Sequence, residues 1–307
     1  MGTQIISVKK KKKKLVSQKY MLLGFAFIMP AIVVYLIFMG YPLYRTFYLS
    51  TMDWSGFGSM SFIGLENFSK IIQDNMFWDS LRNTLYFAVF SSIFSVLIGL
   101  LLAWLNMYMF RMEGQVFRTI MFSPAMIAPT ITGLLFVFIF TEDVGLLNNI
   151  LRTLGLSDFT TAWLTNMSTA KPVIVLATVW RQFGLAMVLC YAGMQSVPNE
   201  LIESAKLDGA NHVKIFTRIL IPLVKPQIEI ATMFTMLGGL RIYDSVVSLT
   251  AGGPARQTVV LPMWIIENAF TYSRFGYASA MSVAFIAVVL LFIAILRFIF
   301  RGDTYEY

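Results

Sequence analysis

Cysteine and histidine are all but missing from this 307-residue chain, which has one of each, Cys190 and His212. A single cysteine excludes a disulfide framework and a cysteine metal site, and in its apolar run Cys190 reads as a small buried hydrophobe. A single histidine argues against a histidine metal centre or proton relay, and His212 reads as a loop residue. Charge is scarce as well. Only 13% of residues are charged against 57% hydrophobic, where about 25% charged is usual for a soluble domain. With a mean hydropathy of +0.71 the chain is too apolar for a soluble fold, and it reads as an all-α polytopic membrane protein. Catalytic motifs are missing too. There is no G-x-x-x-x-G-K-[ST] to cradle nucleotide phosphates, no G-x-S-x-G and no H-E-x-x-H. Glu142 and Asp143 are adjacent acids between apolar runs, which fits a solvated loop better than acid–base chemistry. No catalytic residue, no metal ligand and no cofactor of its own is therefore expected, and the chain is not read as an enzyme.

What is present is long apolar sequence. Six segments, 20–39, 84–109, 117–140, 172–195, 219–249 and 275–300, approach the ~20 residues needed to cross ~30 Å of hydrocarbon. The fifth is the longest and most polar, and a break is expected near Gly238-Gly239, since a broken helix at membrane depth is tolerated where it lines a cavity. The net charge of +8 could suggest nucleic acid, but Lys9 to Lys14 and Lys19 cluster in a tail just before the first apolar run, with no aromatic residues among the lysines to stack on bases. A topogenic signal that also attracts anionic lipid fits that placement. The first run lacks a small-residue cleavage site and is read as a retained span. With the tail inside, 15 Lys and Arg lie on the inner side and 7 on the outer, which predicts both termini in the cytoplasm.

The stretch 198–222, PNELIESAKLDGANHVKIFTRILIP, is charged between two of these runs. Pro198 suits a first helical position, and Glu200 and Glu203 suit the positive end of a helix dipole. Leu201, Ile202 and Ala205 fall on one face, and Gly209 can take the positive φ that ends a short helix. A second helix over 211–218 carries Val213 and Phe216 on one side, before Pro222 opens the next span. The spacing Glu203-Ser204-Ala205, three residues, Gly209, nine residues, Ile219, one residue, Ile221-Pro222 resembles the EAA loop, E-A-A-x3-G-x9-I-x-L-P, of the membrane subunits of binding-protein-dependent ABC importers. Ser204 and Ile221 depart from it by small changes of volume. The resemblance implies that the loop docks on an ATPase subunit, with Glu203, Ser204, Ala205, Asp208, Gly209, Ala210, Val213 and Phe216 as the coupling residues.

Further stretches resemble the carbohydrate-uptake branch of that family, which includes the maltose-transporter membrane subunits. Phe62, Gly64, Leu65, Asn67 and Phe68, then Asn83-Thr84, follow its F-x-G-L-x-N-[YF] and N-T pattern. Phe117-Arg118-Thr119 with Pro124 is similar to its third span, and GLLNNIL at 145–151 to the external loop after it. Leu249 to Pro254 resembles its L-T-x-G-G-P turn, and GYASAMS at 276–282 the start of its last span. Gly276, Ser279 and Ala280, at i, i+3 and i+4, suit close helix packing. The resemblance covers about residues 20–301. It implies the type I ABC importer permease fold, laid out as a basic tail (1–19), a first span with its outer loop (20–82), a core domain (83–301) and a C-terminal tail (302–307). It also implies a second similar permease, two ATPase subunits that carry ATP and magnesium, an extracellular binding protein that delivers a sugar or oligosaccharide, and a place in the bacterial cytoplasmic membrane.

Two arginines interrupt the spans, and an intramembrane charge is a site hypothesis by default. Arg181 follows Trp180 in the fourth span, and Arg241 stands beside Tyr243 and Asp244 in the fifth, the region where the resembling family holds its solute. Trp180, Gln182, Tyr191 and Tyr243 could give a sugar ring aromatic faces and hydrogen bonds. The plainer alternative is an Arg241–Asp244 salt bridge at i, i+3 that neutralises two charges. Among other classes, an ion-coupled secondary transporter of a small polar solute should show inverted repeats and acids in its spans, whereas only Glu229 and Asp244 qualify and no repeat is visible. A membrane scaffold would have no reason for an EAA-spaced loop.

Overall fold

The computed structural model describes residues 18–301. Most of the basic tail and the segment 302–307 lie outside the described residues. The chain divides into two units, up to Tyr48 and from Leu49 on. The first unit is helical: α1 (Gln18–Tyr35) passes through a π-helical turn, Leu36–Gly40, into α2 (Tyr41–Ser50). Pro42, which has no N–H to donate, is the second residue after the widened turn. The apolar helix therefore runs Leu23–Ser50, 28 residues, about ten residues beyond the expected end of the first span.

The second unit opens on a two-residue antiparallel ladder, β1 (Met52–Asp53) with β2 (Ser61–Phe62), and a short helix α3 (Glu66–Gln73). Its core is α4 (Asn75–Asn106), α8 (Ala170–Gln195) and α12 (Lys225–Leu240), which pack on one another. α4 starts nine residues before the expected span because Asp74 caps it: its Oδ1 accepts the Met76 and Phe77 N–H groups at 2.8 and 3.2 Å. Small residues set the closeness of this packing, as lipid-immersed helices require. A Cβ on Gly99 would stand 2.7 Å from the Met187 nitrogen of α8, and one on Gly239 2.5 Å from Ala88 of α4.

Among the described residues four helices are apolar and long enough to cross a membrane, Leu23–Ser50 together with α4, α8 and α15 (Phe275–Phe300). The remaining two spans are bent pairs. α5 (Arg111–Phe122) and a 3-10 turn, Ser123–Met126, meet α6 (Pro129–Phe140) at 98°. Pro129 explains the break, since the residue before a proline is driven out of the helical region and Ala128 sits at ψ 140°. The stretch formed by α10 (His212–Ile215), a π-helical turn Phe216–Leu220 and α11 (Ile221–Leu223) meets α12 at 73°. Here the expectation that Pro222 opens the span is corrected. Pro222 lies within the preceding helix, and Pro226, in the first turn of α12, restarts the helix after Val224. The expected break at Gly238-Gly239 is likewise absent: α12 runs through both glycines and ends at Leu240, and α13 (Tyr243–Thr250) begins after Ile242. The glycines are there for contact, not for a hinge.

Around this core lie α7 (Leu146–Thr153), α9 (Asn199–Leu207) and α14 (Leu261–Ile266). The stretches singled out in the sequence turn out to be ties between distant segments. Asn67 Nδ2 donates to the Ser50 and Met52 carbonyls at 3.0 and 2.9 Å. Asn83 Nδ2 donates to the Val259 carbonyl at 2.8 Å, and Thr84 Oγ1 accepts the Leu261 N–H at 2.8 Å. The Gly252-Gly253-Pro254 turn follows Ala251 at φ 49° and contains a cis Gly253–Pro254 bond. Thr258 Oγ1 closes it on the Gly253 carbonyl at 2.6 Å. Gly276 and Ala280 of α15 are buried, as close packing requires.

Candidate functional site

Two regions carry the expected site residues. At one end of α4 lies the loop 199–223. Pro198 stands one position earlier than expected, as the residue before the first helical turn, and α9 ends at Asp208 and Gly209. Gly209 has φ 79°, and beyond it the Ala210 N–H returns to the Ala205 carbonyl at 2.9 Å, the closure that a left-handed residue permits. Asn211 then caps the second helix, its Oδ1 accepting the Lys214 N–H at 2.8 Å. Ile202 and Ala205 are half-buried against the core of the unit.

The second apolar stripe divides, which corrects part of the expectation. Val213 is 56% exposed, but Phe216 is 6% exposed and stacks on Trp104 of α4, ring centres 4.6 Å apart and 22° from parallel. Phe216 therefore anchors the loop to its own chain and offers no face to a partner. Exposed apolar surface remains on Leu207 (89%), Leu201 and Val213, flanking the charged Glu203 and Asp208.

The anchor was not expected from the sequence. Trp104 Nε1 donates to Tyr108 Oη at 3.2 Å, and that hydroxyl lies 3.1 Å from His212 Nδ1, with the two rings edge to face at 4.9 Å. One turn away Arg118 donates to Asn106 Oδ1 at 2.7 Å, Asn106 Nδ2 donates to the Gly114 carbonyl at 3.0 Å, and the Arg118 guanidinium lies 4.4 Å from the centre of the Tyr191 ring. Aromatics at i, i+4 where an apolar run meets charged sequence were the available signal for Trp104 and Tyr108. Tyr191 itself is moved by this finding: it stands eleven residues beyond Trp180 on α8, about 16 Å along the axis, beside the loop end and away from the mid-span residues.

The second region lies between α8 and the end of α12. Trp180 packs its ring 5.6 Å from Phe136. Gln182 is buried between α8 and Gly238, where a Cβ would stand 2.7 Å from its Nε2. Arg241 and Asp244 are exposed and Tyr243 is half-buried. The Arg241–Asp244 salt bridge does not form. Among the described residues the ion pairs are Lys70–Glu66, Arg82–Asp79 and Arg256–Glu267. Among the described residues, Arg181 Nε and Gln182 Oε1 are buried without a hydrogen-bond partner. Two consecutive unpaired polar atoms at the middle of a span mark a place that a polar group from outside this chain can complete.

Residues 95–302 match the family described as binding-protein-dependent transport system inner membrane component. The lactose transport system permease protein LacF of Rhizobium radiobacter is 34% identical, over 90% of this chain and 92% of its own length. The diacetylchitobiose uptake system permease protein NgcF of Streptomyces coelicolor is 31% identical, over 90% of this chain and 81% of its own. Among solved structures, a chain of a bacterial ABC transporter that imports the acidic polysaccharide alginate superposes with a TM-score of 0.80 at 24% identity, covering 94% of this chain and 98% of that one. That likeness establishes the fold.

Proposed function

This chain belongs to the family of binding-protein-dependent transport system inner membrane components, and from that premise we propose that it is one of two permease subunits through which an ATP-driven importer moves a sugar or oligosaccharide, delivered by an extracellular binding protein. It is a multi-pass membrane component, and its relatives, including the lactose and diacetylchitobiose permeases, are subunits of transport systems and support a carbohydrate cargo. The alternative of an ion-coupled secondary transporter finds no support in this family.

The observation that carries the reading is the loop 199–223. Its base is fastened to α4 through Phe216 and Trp104, while Leu201, Leu207 and Val213 stay exposed around Gly209. A rigid base under an exposed apolar tip is what a lever between an ATPase and a span needs. In this reading Glu203, Ser204, Ala205, Asp208, Gly209, Ala210 and Val213 meet a groove of the ATPase, which holds the ATP and magnesium. The loop end then faces the cytoplasm, with both termini on that side. Solute passes near Trp180, Arg181, Gln182, Arg241, Tyr243 and Asp244, where the unpaired Arg181 Nε and Gln182 Oε1 await a partner.

Purifying the tagged chain in mild detergent and identifying its partners by mass spectrometry tests this. An ATPase and a second permease should come with it, and recovery of neither would refute the assembly.

A further inference from the structure

At the opposite end of α4 from the loop 199–223 lies a polar cavity of about 540 Å³, within the size range of small-molecule sites. α4 has 32 residues, so the two ends are about 48 Å apart. The cavity is half open and is bordered by the segment after α2, by α3, by α14 with the turn after it and by the first turn of α15. Two of its buried polar atoms lack a hydrogen-bond partner among the described residues, Trp54 Nε1 and Asn268 Oδ1. Asn268 is 0% exposed, and its orientation is determined: its Nδ2 donates to the Trp264 carbonyl at 2.9 Å, a group that can only accept, so its oxygen is the atom left over.

We propose that this cavity is a second carbohydrate subsite, which holds one neutral sugar ring. A sugar ring carries several hydroxyls, each able to accept from an N–H such as Trp54 Nε1 or to donate to an oxygen such as Asn268 Oδ1. The rings of Trp54, Trp264 and Tyr277 supply the apolar faces that the C–H edges of a sugar require. Charge does not favour an anion. Asp74 is saturated as an acceptor, with Oδ2 accepting from Trp264 Nε1 and Tyr277 Oη at 3.0 and 2.8 Å and Oδ1 capping α4. Lys70 is paired with Glu66 at 2.9 Å, which leaves Asp53 and Asp74 against Arg274, an excess of one negative charge. A neutral ligand fits that balance better than an anion. The site deepens the transport reading and rests on it only for its role, as a place where solute is held before it enters the spans.

The test is saturation-transfer NMR and calorimetric titration of D-glucose, with D-glucuronate as the charged control, on the purified full-chain complex in nanodiscs. Saturable glucose binding is expected, weakened about tenfold by Trp54→Phe, which removes the N–H and keeps a ring against Phe275, and by Asn268→Leu. Glucuronate should bind more weakly than glucose. Where Asn268→Leu fails to fold, Trp54→Phe alone carries the test. Absence of saturable glucose binding, meaning a cavity that holds water only, or glucose binding unchanged in Trp54→Phe, overturns the subsite. Binding is read without turnover, so a failure of sugar transport leaves a positive result standing.

Discussion

At the scale of residues, Arg181, Arg241 and Asp244 carry charge in the fourth and fifth spans, and among the described residues none of them forms an ion pair. A charge held in a span without an ion pair is costly and marks a functional contact by default. Arg181→Gln and Asp244→Asn should each therefore lower sugar uptake in reconstituted vesicles severalfold, with the complex still assembled. Unchanged uptake in both variants would refute a place for these residues in the solute path. Phe216 poses a separate question, because it is buried and stacked on Trp104. Phe216→Ala should cost about 3 kcal/mol of stability, read as a lowered Tm of the assembled complex, and should reduce stimulation of ATP hydrolysis. A variant with unchanged Tm and coupling would show that the anchor is dispensable.

At the scale of elements, the α9–α10 turn separates two effects that usually come together. Gly209 has φ 79°, yet a Cβ there meets nothing within 4 Å in this chain. Gly209→Ala should thus cost only the left-handed strain, about 1 kcal/mol, and keep most of the uptake. Gly209→Leu adds the same strain plus a side chain directed at whatever covers the loop, so its uptake should fall at least tenfold further with the membrane domain still folded. Equal uptake in the two variants would mean that nothing docks there. The bent spans carry a related lesson about elements. Each break sits at a proline, Pro129 or Pro226, and both were readable in principle. The paired glycines drew attention instead, although Gly239 serves the close approach of α12 to α4.

At the scale of the whole molecule, the loop 199–223 and the cavity at Trp54 and Asn268 lie at opposite ends of α4, so one orientation in the membrane determines the side of each. The native Cys190 is buried, and a Cys190→Ala background makes site-directed labelling clean. A cysteine at His212 should react with an impermeant maleimide only from the cytoplasmic side, and one at Arg256 only from outside. The reverse pattern would overturn the orientation and the ATPase contact with it.

The sequence by itself determined that the chain is an apolar all-α membrane protein, where its six candidate spans fall and which loop is charged and interrupted by a glycine. These follow from composition and local spacing, which need no knowledge of neighbours. Even the turn at Gly209 was legible, because a left-handed closure is a property of a few consecutive residues. Tertiary structure alone decided that Phe216 points inward, that Arg241 and Asp244 form no salt bridge, that Tyr191 belongs to the loop end and that Trp54 and Asn268 share a cavity. The physical reason is that a membrane helix is apolar on its lipid face and its core face alike. Hydropathy therefore reveals that a segment spans but not how it is rotated, and rotation decides which polar groups, some 203 residues apart as Asp74 and Tyr277 are, come within reach of one another.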